Sequence, residues 1–261
     1  HHEIYKPYPK ANVIINPKKD NGYLRYDYLC ATSLSYFFLE ILSKKIRCKI
    51  DLRKFLIYVL LATVCDVMPL RKLNRLISIT ALKEFNIDDS SAFKELYNLN
   101  NRKNKICIDD LGYLIGPILN SGGRLGKSNY ATELLSTNNY EVIKQKSFEL
   151  VNLNIKRREI ENTILNSINL DEIKKNNEDV IIHYDPNINE GLIGIIAARL
   201  KEYFNKPSIV ITNSKNSLKG SARSTINYNI GTVIKKLVDK RLLEKGGGHN
   251  MAAGFSMKKN N

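Results

Sequence analysis

The sequence predicts an α/β protein in two parts joined by one long helix, on three observations. From Val180 onward, short runs rich in β-branched residues alternate with helical-period segments, the pattern of a small α/β domain. From Tyr28 to Phe85, apolar residues recur at helical spacing instead. Between the two lies 139–168, long, helical in period and dense in charge, which reads as the connector.

Taken in order, residues 1–20 read as extended and loop-like, with Val13, Ile14 and Ile15 a short strand ended by Asn16-Pro17. Residues 28–43 place Leu29, Leu34, Phe37, Phe38 and Leu42 at helical spacing, predicting a helix packed on the core. Residues 52–65 predict a second, buried helix ending beside Asp66, and 74–85 a surface helix. Leu111, Gly112 and Tyr113 lead into a glycine-rich loop, followed by helices over 129–135 and 139–168. The last of these carries Arg157, Arg158, Glu159 and Glu161 on or near one face, which also reads as a solvated face with i,i+4 pairs. Beyond Asn176-Asn177, 180–184 and 208–212 predict strands, 191–204 and 230–243 helices, and 219–224 a strand end with a loop. No internal repeat or low-complexity linker interrupts the chain.

The 261 residues allow one large domain or two modest ones, and 43% hydrophobic content specifies a globular chain. A net charge of +15 favours a polyanionic partner, nucleic acid first, although the joint enrichment in Lys, Asn and Ile also reads as a nucleotide-composition bias. Cys30, Cys48, Cys65 and Cys107 form no C-x-x-C pair, which argues against structural zinc and a disulfide framework and favours a reduced, cytoplasmic setting. The apolar run 55–67 is shorter than the ~20 residues of a membrane span.

Three small-residue segments carry phosphate-competent donors. Gly246-Gly247-Gly248-His249, followed by Ala252-Ala253-Gly254, offers unhindered backbone N–H groups and a switchable imidazole; it also reads as a plain hairpin loop. Gly116 to Arg124 sets Asn120 and Arg124 around a glycine pair, and the Arg fork suits phosphate oxygens. Lys219 to Ser224 flanks Arg223 with Ser221 and Ser224.

Together these segments resemble the RecJ family of single-strand-specific exonucleases in the DHH phosphoesterase superfamily. His1-His2-Glu3 is similar to the end of the Asp-His-His motif, and Val13 to Pro17 to the strand after it. Ala62-Thr63-Val64-Cys65-Asp66-Val67-Met68-Pro69-Leu70 resembles a segment bearing a metal-binding Asp. Gly116 to Arg124 resembles Gly-Pro-Arg-Leu-Asn-Ala-Ala-Gly-Arg, and Gly247 to Gly254 resembles Gly-Gly-His-x-x-Ala-Ala-Gly. The chain departs from the family at Ile118 (usually Arg), at Ala62 (Gly), and at Ile188-Asn189 (often Trp-His).

The resemblance implies the C-terminal part of a DHH phosphoesterase domain over 1–138, a connector helix over 139–176 and a smaller α/β DHHA1 substrate-binding domain over 177–261. It implies 5′→3′ hydrolysis of single-stranded DNA in repair and recombination, with other repair proteins as partners and a monomeric chain. A two-metal site for Mn²⁺ or Mg²⁺ follows, with His1 and Asp66 as ligands and His2 beside them. Asp66, set among apolar residues, is expected to be buried and to need a partner. His1-His2 also reads as an affinity-tag remnant. The resemblance further gives His1, His2, Asp66 and His249 the catalytic roles. It assigns the substrate phosphates to Asn120, Arg124, Ser221, Arg223, Ser224, Gly247, Gly248 and His249. The Asp-x-Asp motif, a further Asp and the Asp before His-His have no counterpart here, and Asp88-Asp89 and Asp109-Asp110 sit in polar surface contexts. An N-terminally truncated chain with little activity is therefore expected. Two other readings stay open: a DHH-type phosphodiesterase on short oligoribonucleotides or cyclic dinucleotides, and a non-catalytic nucleic-acid-binding remnant. Asn154 with Arg157-Arg158 resembles the family's connector motif, and Tyr113, Tyr130 and Tyr228 are candidate stacking platforms.

Overall fold

Three hydrophobic clusters organise the described residues, and a single long helix contributes to two of them. In the computed structural model, which describes residues 2, 4, 6–19 and 24–259, the helices are α1 (Ala31–Lys45), α2 (Leu56–Cys65), α3 (Lys72–Glu84), α4 (Ser91–Leu99), α5 (Gly116–Arg124), α6 (Tyr130–Ser136), α7 (Tyr140–Ser167), α8 (Leu170–Asn176), α9 (Ile193–Phe204) and α10 (Ile230–Asp239). The strands are β1 (Ile181–Tyr184), β2 (Ser208–Asn213), β3 (Leu218–Arg223), β4 (Lys245–His249) and β5 (Ala252–Met257). The chain divides into a first compact unit, His1–Gly122 with Asn129–Leu153, and a second, Gly123–Ser128 with Asn154–Asn261. The division falls inside α7.

The first unit is helical, and α2 is its centre. Nearly every residue of α2 is apolar, and Leu56, Ile57, Val59, Leu60 and Leu61 are buried against Ile77 and Ala81 of α3, Phe93 and Leu96 of α4, and Leu134, Ile143 and Leu150. Phe93 meets Tyr58 and Phe85 edge-on at 5.6 and 5.5 Å, the geometry that ring quadrupoles favour. Helix α1 departs from expectation. Leu34 and Phe37 are half-covered, but Phe38 and Leu42 stand 49% and 36% exposed, because α1 is apolar around more of its girth than its neighbours cover.

Val13, Ile14 and Ile15 form no strand: a strand needs a ladder partner, and the first unit has none among its described residues. The segment 116–124 is helical rather than a loop. A π-helical turn, Asp110–Ile115, precedes it, with Gly116 N–H bonded to Leu111 O. The wider turn accommodates Pro117, which has no N–H and would otherwise crowd the preceding carbonyl. Gly116 is required by packing, since a Cβ there would stand 2.5 Å from Cys65 Sγ. Asp110 is not on the surface: its carboxylate accepts from Tyr97 Oη at 2.7 Å and from Cys107 N at 3.1 Å.

The second unit is a five-stranded sheet of order β1-β2-β3-β5-β4, parallel between β1 and β2 and antiparallel elsewhere. Helix α9 joins the parallel pair and packs on β2 and β3; α10 packs on β4 and β5. Asn229 caps α10 by accepting from Thr232 N. The Ser-Ala-Arg segment lies within β3 and not in a loop. The glycine run is likewise β4 of a hairpin, turning through Asn250 and Met251 into β5. Ser224 N bonds to Met251 O at 2.9 Å and Ile230 N to Asn250 O at 3.2 Å, which pins the turn to the 224–230 loop.

Candidate functional site

Sheet register brings three of the sequence motifs onto one surface. Directly opposed residues in an antiparallel ladder share a face. Arg223 opposes Ala252, which opposes His249; two places along, Ser221 opposes Gly254, which opposes Gly247. With neighbouring strands about 4.8 Å apart, Arg223 and His249 are separated by roughly 10 Å of sheet. The floor between them is made of Ala252, Gly254 and Gly247. A Cβ on Gly247 would meet nothing within 4 Å, and one on Gly254 only Gly220 O at 3.9 Å, so packing demands neither glycine.

The opposite face belongs to α10. Ala222 and Ala253 are buried there with Ile230 and Ile234. A Cβ on Gly246 would stand 2.6 Å from Ile234 Cγ2, and one on Gly248 2.5 Å from Ala253 Cα. Within the glycine run, the outer two residues therefore serve the fold and the middle one opens onto the small-residue floor.

One wall of this floor is strongly cationic. The N-terminus of α9 has no side-chain cap, and its first turn lies against β3: a Cβ on Gly194 would stand 2.9 Å from Arg223 Nη2 and 3.1 Å from Ser221 Oγ. An arginine laid against the positive end of a helix dipole is unfavourable unless an anion joins it. Arg223 Nη1 donates to Ser221 Oγ at 3.2 Å and to Ala222 O at 3.0 Å. Arg124 Nη1 donates to Gly191 O at 3.0 Å, and a Cβ on Gly191 would overlap the Arg124 backbone. Both guanidinium groups are half-buried, and neither has a carboxylate partner among the described residues.

Arg157 of α7 completes the group. Its side chain is 11% exposed; Nε donates to Asn154 Oδ1 at 3.2 Å and Nη1 to Glu161 Oε2 at 2.8 Å. Burial lowers the pKa of Arg124, and the charges of Arg157 and Arg223 push it the same way, with Glu161 opposing. Burial also lowers that of Arg223. Arg124, disfavoured by the charges of both Arg157 and Arg223, and Arg223, laid against an uncapped helix end, form an arrangement that an anion would relieve.

The other predicted residues fall as follows. Ser224 is buried and donates its hydroxyl proton to Tyr228 O at 2.6 Å, so it holds the turn. Gly247, Gly248 and His249 are exposed on the edge strand. Asn120 is exposed on α5 in the first unit, beside buried Ser121, whose Oγ lies between the carbonyls of Ile118 and Leu150. Asp66, expected to be buried, is exposed: α2 ends at Cys65, and Val67 at φ 53° turns the chain outward with 87% of its own surface open. His2 is exposed, its carbonyl accepting from Asn16 Nδ2 at 2.9 Å, and His1 lies outside the described residues. Among the described residues no group of three or more His, Cys, Asp or Glu side chains could hold a metal ion, so these residues do not by themselves fit a two-metal centre. Tyr113 is 78% exposed, Tyr228 is 37% exposed, and Tyr130 lies under Lys146 Nζ at 3.6 Å from the ring centroid. Among the described residues no helix is long and apolar enough to cross a membrane.

Sequence reasoning did not place Arg157, Glu161, Gly191 or Gly194 in the site. A signal for the first two existed. Ile143, Ser147, Leu150, Asn154, Arg157, Glu161, Ile164 and Ile168 follow one another at alternating steps of four and three, a single stripe with apolar ends. Polar residues in the middle of such a stripe are interior.

Residues 177–261 match the DHHA1 domain family. The single-stranded-DNA-specific exonuclease RecJ of Haemophilus influenzae is 29% identical over 99% of this chain and 48% of its own length. The Bacillus subtilis protein of the same name is 26% identical over 99% of this chain and 32% of its own. The chain thus spans about half the length of the first of these relatives and a third of the second. Thermus thermophilus RecJ, in a crystal structure with Mn²⁺, superposes with a TM-score of 0.74 at 23% identity, covering 87% of this chain and 34% of that one. A second RecJ crystal structure, bound to manganese, gives 0.70 at 23% identity over 89% of this chain and 57% of that one. These likenesses share the mixed α/β fold with its five-stranded sheet. Residues 177–261 thus match the DHHA1 domain family, and along nearly its whole length the chain is similar to RecJ proteins.

Proposed function

We propose that this chain belongs to a 5′→3′ exonuclease of single-stranded DNA that serves repair and recombination, and that its second unit grips the terminal 5′-phosphate. The observation that carries the reading is the pair of half-buried arginines, Arg124 and Arg223, which have no carboxylate partner among the described residues and lie against Gly191 and Gly194 at the uncapped start of α9, with the charge of Arg157 acting on Arg124. Phosphate contacts position a strand without reading its sequence, which suits an exonuclease with little base preference. Ser221 adds a hydroxyl donor, the floor of Gly247, Gly254 and Ala252 lets the backbone lie close, and His249 at its far end reaches the next phosphate.

Hydrolysis in this reading uses Mn²⁺ or Mg²⁺, the ions bound in the similar RecJ structures. Asp66 and His1 are the candidate ligands, with His2 beside them to hold a ligand water or a phosphate oxygen. The described residues assemble no complete ligand group, so this polypeptide is expected to bind the strand and to cut it slowly or not at all.

The test compares a short oligothymidylate bearing a 5′-phosphate with its 5′-hydroxyl twin, by fluorescence anisotropy on the whole chain. Binding at least about tenfold tighter to the phosphorylated strand supports the reading. Equal binding removes the terminal-phosphate site. Tighter binding of a dinucleotide than of the longer strand would favour a small-substrate phosphodiesterase. Release of mononucleotides with Mn²⁺ that vanishes in Asp66→Ala would assign that carboxylate to the reaction.

A further inference from the structure

Glu161 has no place in the reading above, yet it is among the most enclosed carboxylates of the second unit. Its side chain is 6% exposed, and its two oxygens are taken by arginines from two helices: Oε2 by Arg157 Nη1 at 2.8 Å, one turn back on α7, and Oε1 by Arg199 Nε at 2.9 Å, on α9. A carboxylate this far from water is costly unless fully paired. Here it is paired twice, and it ties α7 to the helix whose N-terminus forms the anion site.

The consequence falls on Arg157. Asn154, 5% exposed, holds Nε, and Glu161 holds Nη1, so two sides of the guanidinium are fixed and Nη2 is left over. Arg124 and Arg223 are anchored in the same manner, each giving one arm to a protein oxygen. Arg157 differs in that its anchor carries charge. Without that charge, the repulsion between Arg157 and Arg124 would favour a rotamer that takes Arg157 away from the group.

We propose that Glu161 is a positioning residue, which holds Arg157 in the arginine group and so sets the affinity for a terminal phosphate without touching it. The affinity part of this rests on the phosphate reading; the positioning part does not.

The experiment uses the whole chain with Glu161→Gln, Arg157→Gln and the double variant. The probes are the 5′-phosphorylated oligothymidylate and its 5′-hydroxyl twin, together with the ¹⁵N–¹H signals of the arginine Nε–H groups. Each single variant is expected to bind the phosphorylated strand about tenfold more weakly and the hydroxyl strand unchanged. The double variant is expected to bind no more weakly than Arg157→Gln, because Glu161 acts through Arg157. The Arg157 Nε–H signal, identified by its loss in Arg157→Gln, is expected to be sharp in the parent and averaged away in Glu161→Gln.

Losses that multiply in the double variant, or an Arg157 signal unchanged in Glu161→Gln, overturn the proposal. If the parent does not distinguish the two strands, the phosphate reading falls, and positioning is decided by the resonance alone. If Glu161→Gln does not fold, Glu161→Asp, which keeps the charge but withdraws the carboxylate by one methylene, gives the same comparison.

Discussion

At the scale of single residues, the proposed site separates groups that would contact a ligand from groups that would hold the contact. Arg223→Ala is expected to weaken binding of a 5′-phosphorylated strand by about 1.5–3 kcal/mol, the range for hydrogen bonds to a charged group, with the melting temperature nearly unchanged. Lysine there does not restore affinity, because only the guanidinium fork reaches Ser221 Oγ and Ala222 O while keeping donors for a ligand. Ser224→Ala behaves in the opposite way. It removes the bond to Tyr228 O and costs stability of about 1 kcal/mol, read by thermal melting, while phosphate affinity stays. Arg124, Ser221 and Arg223 could be singled out in the sequence as candidates because their chemistry is local: a fork or a hydroxyl beside small residues. The exposure of Asp66 was not, because it depends on the left-handed turn at Val67, a conformation a β-branched residue seldom takes.

At the scale of elements, periodicity located the longer helices and β1 to β3, passed over the short α4 and α8 and the glycine-rich β4–β5 hairpin, and failed where an element depends on a distant partner. Val13, Ile14 and Ile15 have a strand's composition and no ladder to join. The segment 116–124 has a loop's composition, yet a π-helical turn carries the helix through Pro117. In α7, an i,i+4 pair of Arg and Glu looked like a solvated face because pair spacing carries no information on burial; the eight-residue stripe does. The start of the helix ahead of α5 yields a prediction about pH. Burial raises the pKa of Asp110, but the bonds from Tyr97 and Cys107 outweigh it and hold the carboxyl below its ordinary value. A group whose folded pKa is depressed contributes stability above the unfolded value, near 3.9 for Asp, and that contribution is lost as pH falls through the folded one. Asp110→Asn is therefore expected to melt lower at neutral pH and to lose less on acidification below about pH 4, as a pH series of thermal melts would show.

At the scale of the whole molecule, the two units have separate cores. Leu150 and Ile143 of α7 lie in the first, Ile160 and Ile164 in the second. Leu150→Ala is expected to cost about 2–5 kcal/mol in the first unit, lowering one calorimetric transition and leaving the other in place. A single transition moving as one would show that the units unfold together. The +15 net charge bears on binding at this scale. For a single strand, log K is expected to fall linearly with log salt at a slope of about −0.7 per phosphate contact; Arg223→Ala should make that slope shallower by roughly one contact.

The three neighbouring glycines of β4 point in alternate directions, and this sets up a dissociation between two kinds of selection. A library scored for survival of the folded chain would reject side chains at 246 and 248 and pass them at 247. A library scored for retention of a phosphorylated strand would reject them at 247 as well. Within three consecutive codons, tolerance would thus report separately on the inside of the sheet and on what lies against it.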